Sequence, residues 1–464
     1  MQDCAVDSPI KRRLFLGFLS GWVGKFASTI IQLVQVPVFL HYWSVPLYGE
    51  WMIISSLPTY LSFSSFGFGS AAGNEMTMMV SRGDREGALR TFQSSWWLMT
   101  LLGCVAVFLL GVGLYFFTIA DKLKLSAMSE TDTKWVLFYL GVSVLLGQLE
   151  QLLQAAYRSV GRYPYGSFIK SVMSLAAFAC MIVPVVLGGG ARVTALVFAV
   201  ANIAGTLLLC VLVRRDIPWI EYGWRFANVG EIKRLFGPAI AFLGFPIGNA
   251  LNLPGTLLAV GYALGPTDVV VFGTARTVSR VALQMVHMVS GTFGPEMSSA
   301  FGAQNFELTR TLHRRACQMA LLVAVVMVLT MMTFGPWFLH HWTGGHVPPS
   351  RGLLSVLLLV VVVNTLWATS STLLAAINQH QRLAAYYVLA TGLTWVLCFA
   401  LARWYGLYGA AWSLLVAEVV MNAYVVPASL KVSHDTWPGF LASMAQYPPS
   451  LRPDALLLRL RRPA

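Results

Sequence analysis

The chain has 464 residues, 57% of them hydrophobic and only 11% charged, with a formal net charge of +13. A soluble globular domain carries about 25% charged residues, so this chain has too little charge to cover a water-facing surface of its size. A soluble enzyme is excluded, and the solvent for most of the chain is a bilayer.

In hydrocarbon every backbone polar group must be satisfied internally, which leaves helices or a closed barrel. Barrel strands alternate apolar and polar residues over about 10 positions. The apolar runs here are longer and continuous, which predicts an all-α membrane protein. The first run follows Lys11-Arg12-Arg13 and passes Val38 without a small-residue cleavage site. It reads as a membrane helix and not as a signal peptide. Windows of about 20 residues predict twelve helices, over 14–41, 46–72, 91–117, 135–157, 165–187, 193–213, 236–261, 266–296, 316–341, 352–376, 383–402 and 405–428. Pro58, Gly67 and Gly69 interrupt the second, and Gly273 and Gly291 the eighth. Membrane helices tolerate such breakers where neighbours re-satisfy the backbone.

Basic residues set the orientation. With the N-terminus in the cytoplasm, inside segments carry 22 Lys or Arg and outside segments 6. That bias predicts a multi-pass membrane protein with both termini cytoplasmic. The positive charge is then a topology signal, and no nucleic-acid partner is expected.

The chain also repeats. Gly73-Asn74-Glu75-Met76 returns as Gly294-Pro295-Glu296-Met297, 221 positions on. Arg90-Thr91 returns as Arg310-Thr311, and Ala155-Ala156 with Arg162 as Ala375-Ala376 with Arg382, each 220 positions on. These anchors predict two parallel six-helix lobes, 1–213 and 236–430, suited to alternating access around a site near the midplane. Segment 214–235, charged and Trp-rich, is expected to connect them at the cytoplasmic interface. The basic tail 431–464 either lies on anionic lipid or is solvated.

Segment 63–92 reads Phe-Ser-Ser-Phe-Gly-Phe-Gly-Ser-Ala-Ala-Gly-Asn-Glu-Met, then Ser81-Arg82-Gly83-Asp84 and Ala88-Leu89-Arg90. Together with Tyr48-Gly49-Glu50-Trp51, Ala375-Ala376 with Arg382, and Gly406-Gly409-Ala410-Ala411, it resembles the Wzx-type O-antigen and polysaccharide flippases of the multidrug/oligosaccharidyl-lipid/polysaccharide (MOP) exporter superfamily. The resemblance implies a MATE/MOP-like fold. It also implies a substrate, an oligosaccharide on a polyprenyl diphosphate, moved from the cytoplasmic to the periplasmic leaflet. Membrane lipids, a coupling proton or sodium ion, and polysaccharide polymerase and chain-length proteins are the partners it suggests.

Ionisable residues inside a bilayer cost roughly 2.5–3.5 kcal/mol each and usually face a cavity. Lys25 lies in the first predicted helix, and Arg276 and Arg280, four apart, share a face of the eighth. These three are candidate ligands for the diphosphate, since the Arg fork matches phosphate oxygens. Lys170 is expected to snorkel. Asn249 and Asn252, beside Pro246 and Pro254, suggest a kinked helix where sugar hydroxyls bind or where Asn bridges helices. Glu418 and Glu150 either pair with Arg or carry a coupling ion. Glu75 and Glu296 are expected in structural ion pairs with charges near Arg90 and Arg310. Trp43, Trp51, Trp337, Trp342 and Trp404 read as interface anchors.

Other chemistry finds little support. The six cysteines form no CxxC or Cys/His cluster and read as small buried hydrophobes. His340, His341 and His346 read as solvated, so no metal and no cofactor is expected. No Walker motif or DxD-type cluster occurs, and no enzyme is expected. Two alternatives stay open: a cation-coupled multidrug antiporter, which would favour acidic cavity residues, and a membrane glycosyltransferase, which would need a clustered acidic loop motif.

Overall fold

The computed structural model describes residues 26–123, 125–302, 304–348, 350–376 and 380–444. Lys25 and the tail beyond 444 therefore lie outside the described residues. All regular structure among the described residues is helical. The chain runs through α1 (Phe26–Tyr42), α2 (Val45–Ser56), a 3₁₀ segment (Leu57–Ser65), α3 (Phe68–Ser81), α4 (Arg85–Phe116) and α5 (Glu130–Ser159). It continues through α6 (Tyr163–Val186), α7 (Ala191–Asp216), α8 (Val229–Ala250), a π turn (Leu251–Gly255) and α9 (Thr256–Ala263). Next come α10 (Pro266–Gly302), α11 (Phe306–Trp342), α12 (Arg351–Ala376), α13 (His380–Val432) and α14 (Trp437–Met444). Among the described residues nine helices are long and apolar enough to cross a membrane. This is an all-α membrane protein.

Some of the breakers act where the sequence places them, whereas α10 runs unbroken through Gly273 and Gly291. Pro58 opens the 3₁₀ segment, which ends on Phe66 and Gly67, both left-handed at φ 47° and 73°. The helix that resumes runs on to Ser81, past the predicted end at 72. Gly406 takes φ 61° and ψ −146°, a region open essentially to glycine alone. It divides α13 where two helices were predicted. Gly83 (φ 81°) turns the chain so that Asp84 caps α4, its Oδ1 accepting from Gly87 N at 2.7 Å. This gives the Gly-Asp pair a physical reason, since an Asp cap satisfies an orphan amide of the first turn.

The chain forms two compact units, one of residues 1–250 with 265–270, the other of 251–264 with 271–464. In the first, Phe68, Ala72 and Met76 of α3 bury against Phe92 of α4, Leu152, Ala156 and Tyr157 of α5, and Leu209 and Val213 of α7. The predicted connector belongs to this core. Ile217 and Ile220 are buried in it, and its backbone is tied to α4. Gln93 Nε2 donates to Glu221 O at 3.0 Å and Gln93 Oε1 accepts from Phe226 N at 2.8 Å. Ser94 Oγ accepts from Asn228 N at 2.9 Å. Glu75 pairs with Arg234 of α8 at 3.0 Å, and no ion pair joins it to Arg90 among the described residues.

In the second unit, Val278 of α10, Leu339 of α11 and Leu354 and Leu358 of α12 form one buried cluster. Cys317, Val426, Leu430 and Phe440 form another, which seats the short α14. Two of the predicted anchors prove to be packing residues. Trp43 and Trp51 are 7% and 2% exposed, set against Phe39 and each other with ring centroids 4.7–5.8 Å apart. Trp337 and Trp404 are exposed, as an anchor requires.

Candidate functional site

The site begins with a broken helix. Pro254 lacks an N–H and cannot close the bond to the carbonyl four residues back. That carbonyl, Ala250 O, instead accepts from Tyr60 Oη at 3.3 Å. The chain responds with the π turn Leu251–Gly255, which leaves further carbonyls to be satisfied. Thr256 Oγ1 donates to Asn252 O at 2.6 Å, and Trp395 Nε1 donates to Gly255 O at 3.0 Å.

Arg276 supplies the rest. Its Nη2 donates to Asn252 O at 2.8 Å and to Asn252 Oδ1 at 2.7 Å. Its Nη1 reaches Leu253 O at 3.4 Å and also hydrogen-bonds Thr256 Oγ1. The guanidinium is 8% exposed and lies 5.8 Å from the Phe272 ring centroid. Tyr387 shares a hydrogen bond with the Asn252 side chain. Arg280 follows one turn later on α10, is partly exposed, and forms no ion pair among the described residues.

A second polar knot in the same unit surrounds Glu418, which is 5% exposed. Its Oε2 accepts from Asn364 Nδ2 at 2.8 Å and from Trp367 Nε1 at 2.5 Å. Asn364 Oδ1 in turn lies 3.3 Å from His287 Nε2. Glu418 and Arg276 interact electrostatically, yet they form no ion pair. Neutral donors therefore hold the Glu418 carboxylate.

The structure thus brings Arg276 and Asn252 into contact and sets Arg280 and Glu418 in the same unit. Glu150 stands apart in the first unit, where its Oε1 accepts from Thr206 Oγ1 at 2.9 Å. Asn249 is exposed and belongs to the first unit. Sequence reasoning missed Thr256, Asn364, Trp367 and Tyr387. The available signal was polar side chains at three-residue spacing within apolar runs, as at Asn364 and Trp367 on α12.

No protein-family model matches the chain, and no curated protein matches it in sequence. Solved structures do. An inward-facing multidrug-resistance MATE-family transporter of the MOP superfamily superposes with TM-score 0.68, covering 89% of this chain and 94% of that chain at 15% identity. This chain has the MATE fold. A MATE transporter in complex with MaL6 gives TM-score 0.61 over 91% and 96% of the two chains at 14% identity. A MOP-superfamily transporter from Pyrococcus furiosus, whose reversed binding-pocket polarity is said to suggest a different function, gives 0.58 over 92% and 97% at 15% identity.

Proposed function

We propose that this protein is a transporter that moves a polyprenyl-diphosphate-linked oligosaccharide, an O-antigen or other polysaccharide repeat unit, from the cytoplasmic to the periplasmic leaflet of a bacterial inner membrane. Two six-helix lobes alternating in access would carry the cycle. One observation carries the reading: Arg276 and Arg280 stand on one face of a spanning helix, and no carboxylate is in ion-pair contact with either among the described residues. Two cations placed at such cost inside a bilayer call for an anionic partner, and a diphosphate leaving water is one. Arg276 already holds the broken helix open, so it positions Asn252 and lends charge. Arg280 is the group with room to grip phosphate. Lys25 is proposed to add a third cation, and Asn249 and Asn252 to meet sugar hydroxyls.

The experiment is complementation of surface polysaccharide in a flippase-deficient strain, with membrane protein levels measured in parallel. Arg280→Ala is expected to abolish display and Arg280→Lys to retain part of it, because the charge stays while the bidentate fork goes. Arg276→Ala is expected to fail with lower protein level, since three carbonyls lose a donor. Wild-type display by both Arg280→Ala and Lys25→Glu would overturn the anionic-substrate reading.

A second reading has its own support. Glu418, buried and held by neutral donors, suits a proton or sodium ion cycle, as in a cation-coupled multidrug antiporter, and two neighbours in fold are described as multidrug resistance transporters. Glu418→Gln separates the two. Loss of dye efflux with glycan display intact favours the antiporter; loss of display alone favours the flippase with Glu418 as its coupling site.

A further inference from the structure

The first unit contains a polar pocket that shares no residue with the candidate site described above. It has a volume of about 240 Å³, far beyond what one water needs, and lies between the first turn of α3, the last turns of α5 and the first turns of α6. Ser70, Gln151, Gln154, Arg158, Ser167 and Lys170 supply its polar groups, and no carboxylate lines it. Two of its side-chain atoms, Gln154 Nε2 and Arg158 Nε, are shielded from solvent and have no hydrogen-bond partner. Both are donors. Buried polar groups in a folded protein are rarely left unpaired, so two orphan donors, one of them on the Arg158 cation, in a pocket also lined by Lys170 call for an acceptor that carries negative charge.

The pocket is held open by glycines. A Cβ on Gly73 would fall 2.1 Å from Arg158 Nη2, one on Gly69 2.8 Å from Gln151 Oε1, and one on Gly166 2.9 Å from Gln154 Oε1. Each glycine thus gives a polar side chain its place. The Arg158 guanidinium is anchored at one end, Nη2 reaching Ser70 O at 3.4 Å. A planar guanidinium, an ammonium and two amides match the oxygens of a phosphate. We propose that this pocket binds a phosphate or diphosphate group, whether from an anionic lipid headgroup or from a soluble phosphate compound. The basic-residue bias assigns this end of α5 to the cytoplasm.

The test uses the full chain in phosphatidylcholine nanodiscs and radiolabelled inorganic pyrophosphate. It is run in an Arg280→Gln background, which leaves Arg276 on the broken helix and removes the group proposed to grip phosphate during transport. Saturable binding is expected to persist there. Arg158→Gln is expected to weaken it by about tenfold, the scale of a lost charge-assisted bond. Lys170→Gln, at an exposed position where folding is not at stake, is expected to weaken it by a smaller factor, and Arg158→Lys to fall between wild type and Gln. Adding phosphatidylglycerol distinguishes the source. Competition identifies a lipid headgroup, and undiminished pyrophosphate binding identifies a soluble phosphate. Absence of saturable binding, or equal affinity in folded Lys170→Gln and the background protein, would overturn the proposal, whatever becomes of Arg280 in the complementation assay.

Discussion

Glu50 shows how a single carboxylate can organise a loop. It is fully buried in α2, and its two oxygens accept from three successive backbone amides of the loop between α4 and α5. Ala127 N and Met128 N each lie 2.7 Å away, and Ser126 N completes the set. A carboxylate presents only acceptors to such a row, whereas an amide would turn an NH₂ toward the loop's own N–H groups. Glu50→Gln is therefore expected to lower the stability of the detergent-solubilised protein by about 1–3 kcal/mol, read as a lower Tm. Glu50→Asp, which keeps the charge, should recover part of it. An unchanged Tm in Glu50→Gln would remove this loop-fastening role. At this scale the sequence is only partly legible. Tyr48-Gly49-Glu50-Trp51 stands out as a motif, but its partners lie some 76 positions away, and no local pattern announces them. Arg276 was legible as costly, because a cation in an apolar run has to be explained. Its use on the carbonyls of Asn252 and Leu253 was not, because that depends on which helix packs against α10.

Elements were read more securely than contacts. Continuous apolar runs give helices because lipid offers the backbone no other partner, and each of the twelve predicted segments other than the first lies, within the described residues, on helix or helical turn from end to end apart from short breaks. The first is described only from 26 onward. The breaks also follow from residue chemistry at Pro58, Pro254 and Gly406. The short α14 was missed, since eight residues are too few for a membrane window and it is fixed by packing and by one ion pair. Arg314 Nε donates to Asp435 Oδ2 at 2.8 Å, and a second guanidinium nitrogen reaches Oδ1. Burial pushes the Asp435 carboxyl up, but the Arg314 guanidinium and the Thr436 N–H more than offset this and leave it below the usual aspartate range. A carboxyl lowered on folding contributes stability above its unfolded pKa, near 3.9, and loses it as pH falls through the lower folded value. Amide hydrogen exchange of Trp437–Met444 is therefore expected to stay slow from neutral pH down to about 4 and to accelerate, beyond the intrinsic rate, below that. Asp435→Asn should exchange fast at every pH. Slow exchange in that variant would show that the packing of Phe440 and the hydrogen bond that Gln318 Nε2 donates to Ser443 O hold α14 without the ion pair.

For the molecule as a whole, composition identifies the solvent, and the bias of basic residues supplies an expectation for the orientation that labelling can test. Reporter fusions are expected to place 82–90, 214–234 and 302–315 inside and 118–134 and 343–351 outside. A reporter at Arg225 active only on the outer side would overturn the two-lobe reading. The internal repeat is an expectation from scattered identities, and the backbone offers one local parallel to it. A left-handed residue followed by a side-chain cap occurs at Gly83-Asp84 before α4 and again 221 positions later at Gln304-Asn305 before α11, where Asn305 Oδ1 accepts from Leu308 N at 3.0 Å. The turn is the same with glutamine in place of glycine and asparagine in place of aspartate. The fold is likewise shared with MATE structures at 13–15% identity. What could not be read was the cargo, since charge inside a helix indicates the sign of a ligand and little of its shape.

The division of the chain between its units has a bearing on biosynthesis. Residues 265–270 belong with the first unit although 251–264 belong with the second. Gly49 owes its lack of a side chain to Pro266, whose carbonyl oxygen would stand 2.1 Å from a Cβ there. A ribosome that has delivered residue 250 has therefore not yet delivered everything the first unit contains. That unit can close only after a stretch destined for the other has already emerged, so the halves cannot be matured strictly one after the other. Dividing the gene at the connector would sever α2 from the residue against which Gly49 is fitted.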